Sequence, residues 1–211
     1  YHGNEDVFYY LSLQNEPYPM PEMPEGVAEG ILRGLYRLRP APELPGHAPR
    51  VQLFGSGSIL QQVLRAQNLL AEKYEVAADV WSVTSYTELR KDALACERWN
   101  LLHPDQEQRV PWVTQQLEGA EGPVVAASDY MKSLPDLVAR WVPGLTPLGT
   151  DGYGRSDTRE ALRRHFEVDA ECVAAAALWQ LSRRGQVPVA RAAQALRDLG
   201  IDPEKADPVL A

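Results

Sequence analysis

The chain has 211 residues, 45% of them hydrophobic, which suits one large domain, or one domain with an appendage, around a real core. A formal charge of -8 argues against nucleic acid as the main partner, because duplex-binding domains carry a basic surface. No apolar run approaches the roughly 18 residues of a membrane span, and no signal peptide opens the chain, so neither membrane nor secretion is expected.

Cys96 and Cys172 lie far apart in sequence. Without a secretion signal they read as buried, reduced thiols of a cytoplasmic protein. The chain opens on Tyr1-His2-Gly3 with no initiator methionine and enters an apolar run at once. That start reads as a piece cut from a larger polypeptide.

VFYYLSL, residues 7–13, has the aromatic content of a strand. NEPYPMPEMPEG, residues 15–26, holds too many prolines for a helix or a central strand, so it reads as an ordered linker. In EGVAEGILRGLYRL the glycines Gly26, Gly30 and Gly34 recur every four residues beside a stripe of Val27, Ile31 and Leu35. That spacing predicts one helix with a glycine face for close backbone approach, either inside the domain or against a subunit. PAPELPGHAP, residues 40–49, is a surface loop.

From Arg50 the pattern alternates. VQLFGSGS is a strand running into a Gly-Ser turn, and Ile59, Val63, Ala66 and Leu70 stripe the helix after it. DVWSVTSY is a second strand before a helical TELRKDALACERWN. RVPWVTQQLEGAEG is a short helix with Pro111 near its start. GPVVAASD is a third strand, and Leu134, Leu137, Val138 and Trp141 mark a helix. LTPLGTD is a fourth strand, followed by a turn at Gly152 and Gly154 and a helix starting at Asp157 with Glu160 three residues on. Helices over 170–184 and 189–199 close the chain, with Gly185 and Gly200 as their stops. The alternation predicts an α/β fold with a mostly parallel sheet and helices on both faces.

Chemistry-bearing patterns are sparse. Gly55-Ser56-Gly57 resembles the start of a dinucleotide fingerprint, but Leu60 stands where a third glycine is needed, and Ser58 with Gln61 reads as a capping box. No histidine has a second ligand at metal-binding spacing. Cys96 shares an apolar helix side with Leu89 and Ala93 and reads as a structural thiol. In open α/β sheets ligands bind at the carboxyl ends of the strands. Ser56, Ser58, Asp129, Asp151, Arg155 and Ser156 fall there and form the candidate polar rim, with caps and loop ties as the alternative use of the same residues.

The segments YYLSLQNEPYPMPEMPEG, VQLFGSGSIL, VWSVTSYTELRKDALACERWN, DYMKSLPDLVARWVP and LGTDGYGRSDTREALRRHFEVD resemble, in order, the C-terminal end of bacterial homodimeric pyruvate dehydrogenase decarboxylase components. CERWN and DGYGRSD are the distinctive parts. The resemblance implies a transketolase C-terminal-like domain: a three-layer α/β/α sandwich on a mixed, mostly parallel five-stranded sheet. Its antiparallel strand would lie near Tyr36 to Leu38. Residues 1–40 would be the tail of a pyrimidine-binding domain plus linker, and 41–211 the C-terminal domain.

The same resemblance implies thiamine diphosphate and Mg²⁺ in the full-length enzyme, a homodimer partner and a dihydrolipoyl acetyltransferase partner. It places no catalytic, cofactor-binding or metal residue on this chain. Asp151-Gly152 lacks the leading glycine and the later asparagine of the metal motif, and neither Glu88 nor Glu97 is taken as the family's activating glutamate. The isolated chain is therefore expected to be inactive. Two alternatives stand beside this: an assembly or small-anion module working through Arg155 and the helix start at Asp157, and a stand-alone α/β nucleotide-binding protein.

Overall fold

Val51 and Leu53 alternate with Gln52 and Phe54, so strand β2 (Arg50–Gly55) sends apolar side chains to both faces of a sheet. In the computed structural model, which describes residues 17–210 and positions 3, 6 and 8, that strand is the centre of five. The strand expected over 7–13 falls, apart from Phe8, outside the described residues. The sheet order is β1-β3-β2-β4-β5, with β1 at Leu35–Arg39, β3 at Ala77–Val83, β4 at Val124–Ala127 and β5 at Leu145–Leu148. All neighbours pair in parallel except β1 with β3, where Leu35 faces Val83 and Tyr36 faces Ser82. The mixed five-stranded sheet and its antiparallel strand match the expectation.

Helices cover both faces. Val51, Leu53, Ala78 and Val80 meet Val63, Ala66 and Leu70 of α2 (Leu60–Tyr74) and Val173, Ala177 and Leu181 of α7 (Ala170–Arg183). α8 (Val189–Asp198) packs on α7 through Ala195. On the other face, Phe54, Trp81 and Val83 meet Tyr86 and Leu89 of α3 (Tyr86–Leu102) and Val113 of α4 (Trp112–Gln116). Each fully buried Leu or Phe in these layers contributes about 1.5–3 kcal/mol. Among the described residues, no helix is long and apolar enough to cross a membrane.

The glycine-faced helix is not formed. α1 spans only Ala28–Arg33 and stops at Gly34, whose φ of 101° is left-handed and whose N–H closes on Gly30 O. A side chain at Gly34 would run into Ser85 O, so the chain must turn there, and Leu35 then drops into the core as β1 begins. Gly26 precedes the helix and faces open space. Only Gly30 is helical, and a Cβ on it would sit 2.8 Å from Leu35 O and from Tyr36 Cβ. The close approach is therefore local, between α1 and β1. The junction expected at residue 40 falls just after the edge strand β1, so the sheet takes residues from both sides of it.

Two smaller expectations shift. Leu134, Leu137, Val138 and Trp141 do not share one helix: α5 (Ser133–Asp136) ends at Leu137, and i→i−3 bonds carry a separate turn over Ala139–Trp141. α6 (Arg159–His165) is capped by Thr158, whose hydroxyl accepts from Ala161 N, while Asp157 accepts from Thr158 N. Arg163, Arg164 and His165 fill its last turn, where cations complement the helix dipole.

Candidate functional site: the carboxyl edge of the sheet

β2, β4 and β5 are parallel neighbours or next neighbours, so their carboxyl ends open on one edge. Here Ser58 Oγ donates to Asp129 Oδ2 at 3.2 Å, across from the end of β2 to the end of β4. Ser58 therefore does not form the expected capping box: Gly57–Ile59 is a 3₁₀ turn, α2 begins at Leu60, and no side chain caps it. Thr150 Oγ1 donates to Asp129 O at 2.8 Å, and Lys132 N donates to Asp151 Oδ2 at 3.0 Å. The three loops are thus tied at their bases.

These loops and α6 enclose a cleft of about 290 Å³, whose polar walls are Ser58, Asp129, Thr150, Arg155, Arg159 and Arg163. The structure brings together three of the sequence candidates: Ser58, Asp129 and Arg155. Asp151 is a loop tie. Ser156 is exposed and does not line the cleft. Ser56 is buried, and its hydroxyl has no hydrogen-bond partner among the described residues. Arg159, Arg163 and Thr150 were missed, as was Tyr18, whose hydroxyl accepts from Arg159 Nη1 at 2.6 Å and Arg163 Nη2 at 2.9 Å. The i,i+4 spacing of the two arginines on a short helix was the available signal.

The edge can bind and position, but among the described residues no activated nucleophile stands in it. Cys96 lies in the α3 layer with Leu89 and Ala93, as expected, and burial raises its pKa. Cys172 is buried in α7, where desolvation first and the Asp169 carboxylate second raise its pKa. His165 carries a buried Nε2 without a hydrogen-bond partner among the described residues, and its pKa is lowered by burial and by Arg155 and Lys205. Among the described residues, no group of three His, Cys, Asp or Glu side chains has metal-holding geometry.

The distinctive CERWN stretch is structural. Glu97 Oε1 accepts from Trp141 Nε1 at 2.9 Å and pairs with Arg140. Trp99 stacks on His103 with ring centroids 3.6 Å apart, and the Arg109 guanidinium lies over the indole at 3.5 Å. Asn100 exchanges two bonds with the backbone of Arg109. The stretch locks the loop that leads from α3 to α4.

A model of the transketolase-like TK C-terminal domain matches residues 34–169. The chain belongs to the transketolase C-terminal domain family. As a member it is 49% identical over 209 residues to the pyruvate dehydrogenase E1 component of Escherichia coli K12, covering 98% of this chain and 23% of that protein. It is 48% identical over 200 residues to the pyruvate dehydrogenase E1 component of Mycolicibacterium smegmatis, covering 94% of this chain and 21% of that one. The chain thus spans under a quarter of the length of these relatives and matches their C-terminal portion. Among solved structures, a split-gene transketolase, an inactive β4 tetramer, shares the fold with a TM-score of 0.52 at 17% identity, over 78% of this chain and 46% of that one. In this transketolase C-terminal domain the family model begins at Gly34, one residue before the edge strand β1.

Proposed function

We propose that this chain is the C-terminal domain of a pyruvate dehydrogenase E1 component. The whole polypeptide would decarboxylate pyruvate and acetylate the lipoyl group of a dihydrolipoyl acetyltransferase, as a cytoplasmic homodimer with thiamine diphosphate and Mg²⁺. The observation that carries this reading is the 49% identity to the Escherichia coli E1 component over 98% of the chain. The described residues do not fit the cofactor: Asp151 is spent on Lys132 N, Thr150 stands before it in place of glycine, and no acidic cluster can take the metal. No catalytic step is therefore assigned to this chain. Its part is to pack, to assemble and to present the carboxyl edge, and alone it neither turns over pyruvate nor binds thiamine diphosphate tightly.

The reading is tested by replacing the C-terminal portion of the Escherichia coli E1 component with residues 1–211. The chimera is expected to keep pyruvate-dependent acetylation of lipoyl acceptor. A folded chimera without that activity sinks the proposal.

A second reading, a small-anion site in the same edge, has the arginine-lined cleft in its favour. The Asp129 carboxylate in the same wall opposes it.

A further inference from the structure

We infer that the carboxyl edge of the sheet is a docking face for the upstream portion of the same, longer polypeptide, centred on Tyr130, Met131, Tyr153 and Arg155. The inference rests on the reading of this chain as the C-terminal piece of that polypeptide.

The first observation is exposure of the wrong kind of residue. Tyr153 is 85% exposed, Met131 58% and Tyr130 56%. Residues 152–158 are exposed without interruption, and Arg155 stands among them. Exposed apolar groups gathered on one face, with Tyr, Met and Arg together, are the composition of interface cores.

The second observation is that these side chains stand on a fixed base. Thr150 N donates to Tyr130 O at 2.9 Å, Thr150 Oγ1 to Asp129 O at 2.8 Å, and Lys132 N to Asp151 Oδ2 at 3.0 Å. A Cβ on Gly149 would lie 2.5 Å from Tyr130 O, so the two loops touch backbone to backbone. Gly152, at φ 108°, lies against Pro208 O and Val209 Cα, which brings the exposed Val209 and Leu210 to the same face. Tyr153 itself makes no hydrogen bond within the described residues. The chain spends bonds to hold the base of a loop whose tip residue, Tyr153, is left exposed among the described residues. Pre-set presentation of this sort lowers the ordering cost of association.

The third observation names the occupant. Tyr18 rests on Arg159 and Arg163, and Pro19 O accepts from Gln61 Nε2 at 2.8 Å in the first turn of α2. The polypeptide leading into this domain therefore passes over the same edge. The relatives carry the rest of their length, beyond the 23% matched, outside this segment. The opposite edge offers a polar groove in which Gln52 and Asp79 are already satisfied by their own neighbours. The covering surface is accordingly apolar, with a carboxylate for Arg155.

Hydroxyl-radical footprinting of the full-length polypeptide tests this, with each residue's rate scaled to that in the unfolded chain. Trp179, 46% exposed on α7, is the internal reference. Tyr130, Met131 and Tyr153 are expected to be protected at least about five-fold more than Trp179, because an interface core is packed to exclude solvent. Oxidation of Tyr153 faster than Trp179, in line with its exposure in this chain, overturns the proposal. Protection that vanishes on dilution to the monomeric polypeptide assigns the face to a second copy and also overturns it. Tyr153→Arg in the full chain is expected to expose Met131 about five-fold while Trp179 stays unchanged; an unchanged Met131 counts against the proposal. Pyruvate turnover measured on the same preparation separates the two readings, since an inactive polypeptide with a protected Tyr153 defeats the functional reading alone.

Discussion

Trp81 Nε1 donates to Gln52 Oε1 at 2.7 Å, linking two neighbouring parallel strands through a fully buried amide. Gln52 Nε2 in turn donates to Glu121 O at 2.8 Å and to Asp79 Oδ2 at 3.3 Å. Asp79 also accepts from Ala41 N and Arg50 Nη2, so one carboxylate holds the proline loop against the sheet. Replacing Gln52 with Leu strands the indole N–H in the core and removes the part-buried bond to the Glu121 carbonyl. A loss of about 2–4 kcal/mol is expected in urea unfolding, with a shift in tryptophan emission. Unchanged stability would mean that the network contributes nothing net.

Asn100 and Arg109 give a milder case. The Asn100 side chain both donates to Arg109 O at 2.9 Å and accepts from Arg109 N at 2.8 Å, on an exposed surface. Asn100→Ala is expected to cost about 1 kcal/mol and to lower Tm by about 2–4 °C. Amide exchange should rise selectively over residues 104–110. A rise spread over the whole of α3 would contradict a local clamp.

The glycines rank by what stands beyond each missing Cβ. Gly34 combines φ 101° with a collision on Ser85 O, Gly30 meets Leu35 O and Tyr36 Cβ at 2.8 Å, and Gly26 faces open space at φ 76°. Alanine is expected to cost most at Gly34, about 3 kcal/mol or more, and least at Gly26, about 1 kcal/mol. Midpoints of denaturant unfolding check the order. Equal costs at all three would restore a shared glycine face.

Much of the fold was legible because strand and helix periods differ, and the Arg50–Leu148 run alternates between them in short segments. The misreadings share one cause. Gly34 looks like a member of an i,i+4 series, yet its left-handed φ makes it a stop, and φ is not written in residue spacing. Ser58 looks like a cap, yet Asp129, far away in sequence, takes its hydroxyl. At the carboxyl edge, the strand ends were readable and so were Ser58, Asp129 and Arg155. Tyr18 was not, because its partners Arg159 and Arg163 lie more than 140 residues on and only the tertiary fold joins them.

The thiols predict the alkaline limb of stability. Burial, and for Cys172 also the Asp169 carboxylate, raises both thiol pKa values above the ordinary value of 9.0. The unfolded chain then loses its thiol protons first. This contribution is full below about pH 9 and is lost as pH rises further. Native protein is expected to react slowly with a thiol reagent at pH 8, and two thiols should appear on unfolding. Cys172→Ser is expected to flatten the decline in stability between pH 8.5 and 10. Rapid native labelling of Cys172 would show that the α7 core opens readily.

His165 predicts the acid limb, with the opposite sign. Its Nε2 is enclosed without a hydrogen-bond partner among the described residues, and burial, Arg155 and Lys205 together hold its pKa below the ordinary 6.5, against a smaller opposing pull from Glu167. The folded state therefore keeps the ring neutral where the unfolded state has taken up a proton. The contribution is fully present above about pH 6.5 and is lost as pH falls below it. Unfolding free energies of wild type and His165→Gln, measured from pH 7.5 to pH 5, isolate this group from the carboxylates that titrate lower. Wild type is expected to lose stability more steeply over that range than the variant. Removing the charge of Arg155 by Arg155→Gln should narrow the difference, because the guanidinium is part of what depresses the imidazole. Parallel curves for wild type and His165→Gln would show that the ring protonates equally in both states, and that Nε2 is reached by water in the folded chain.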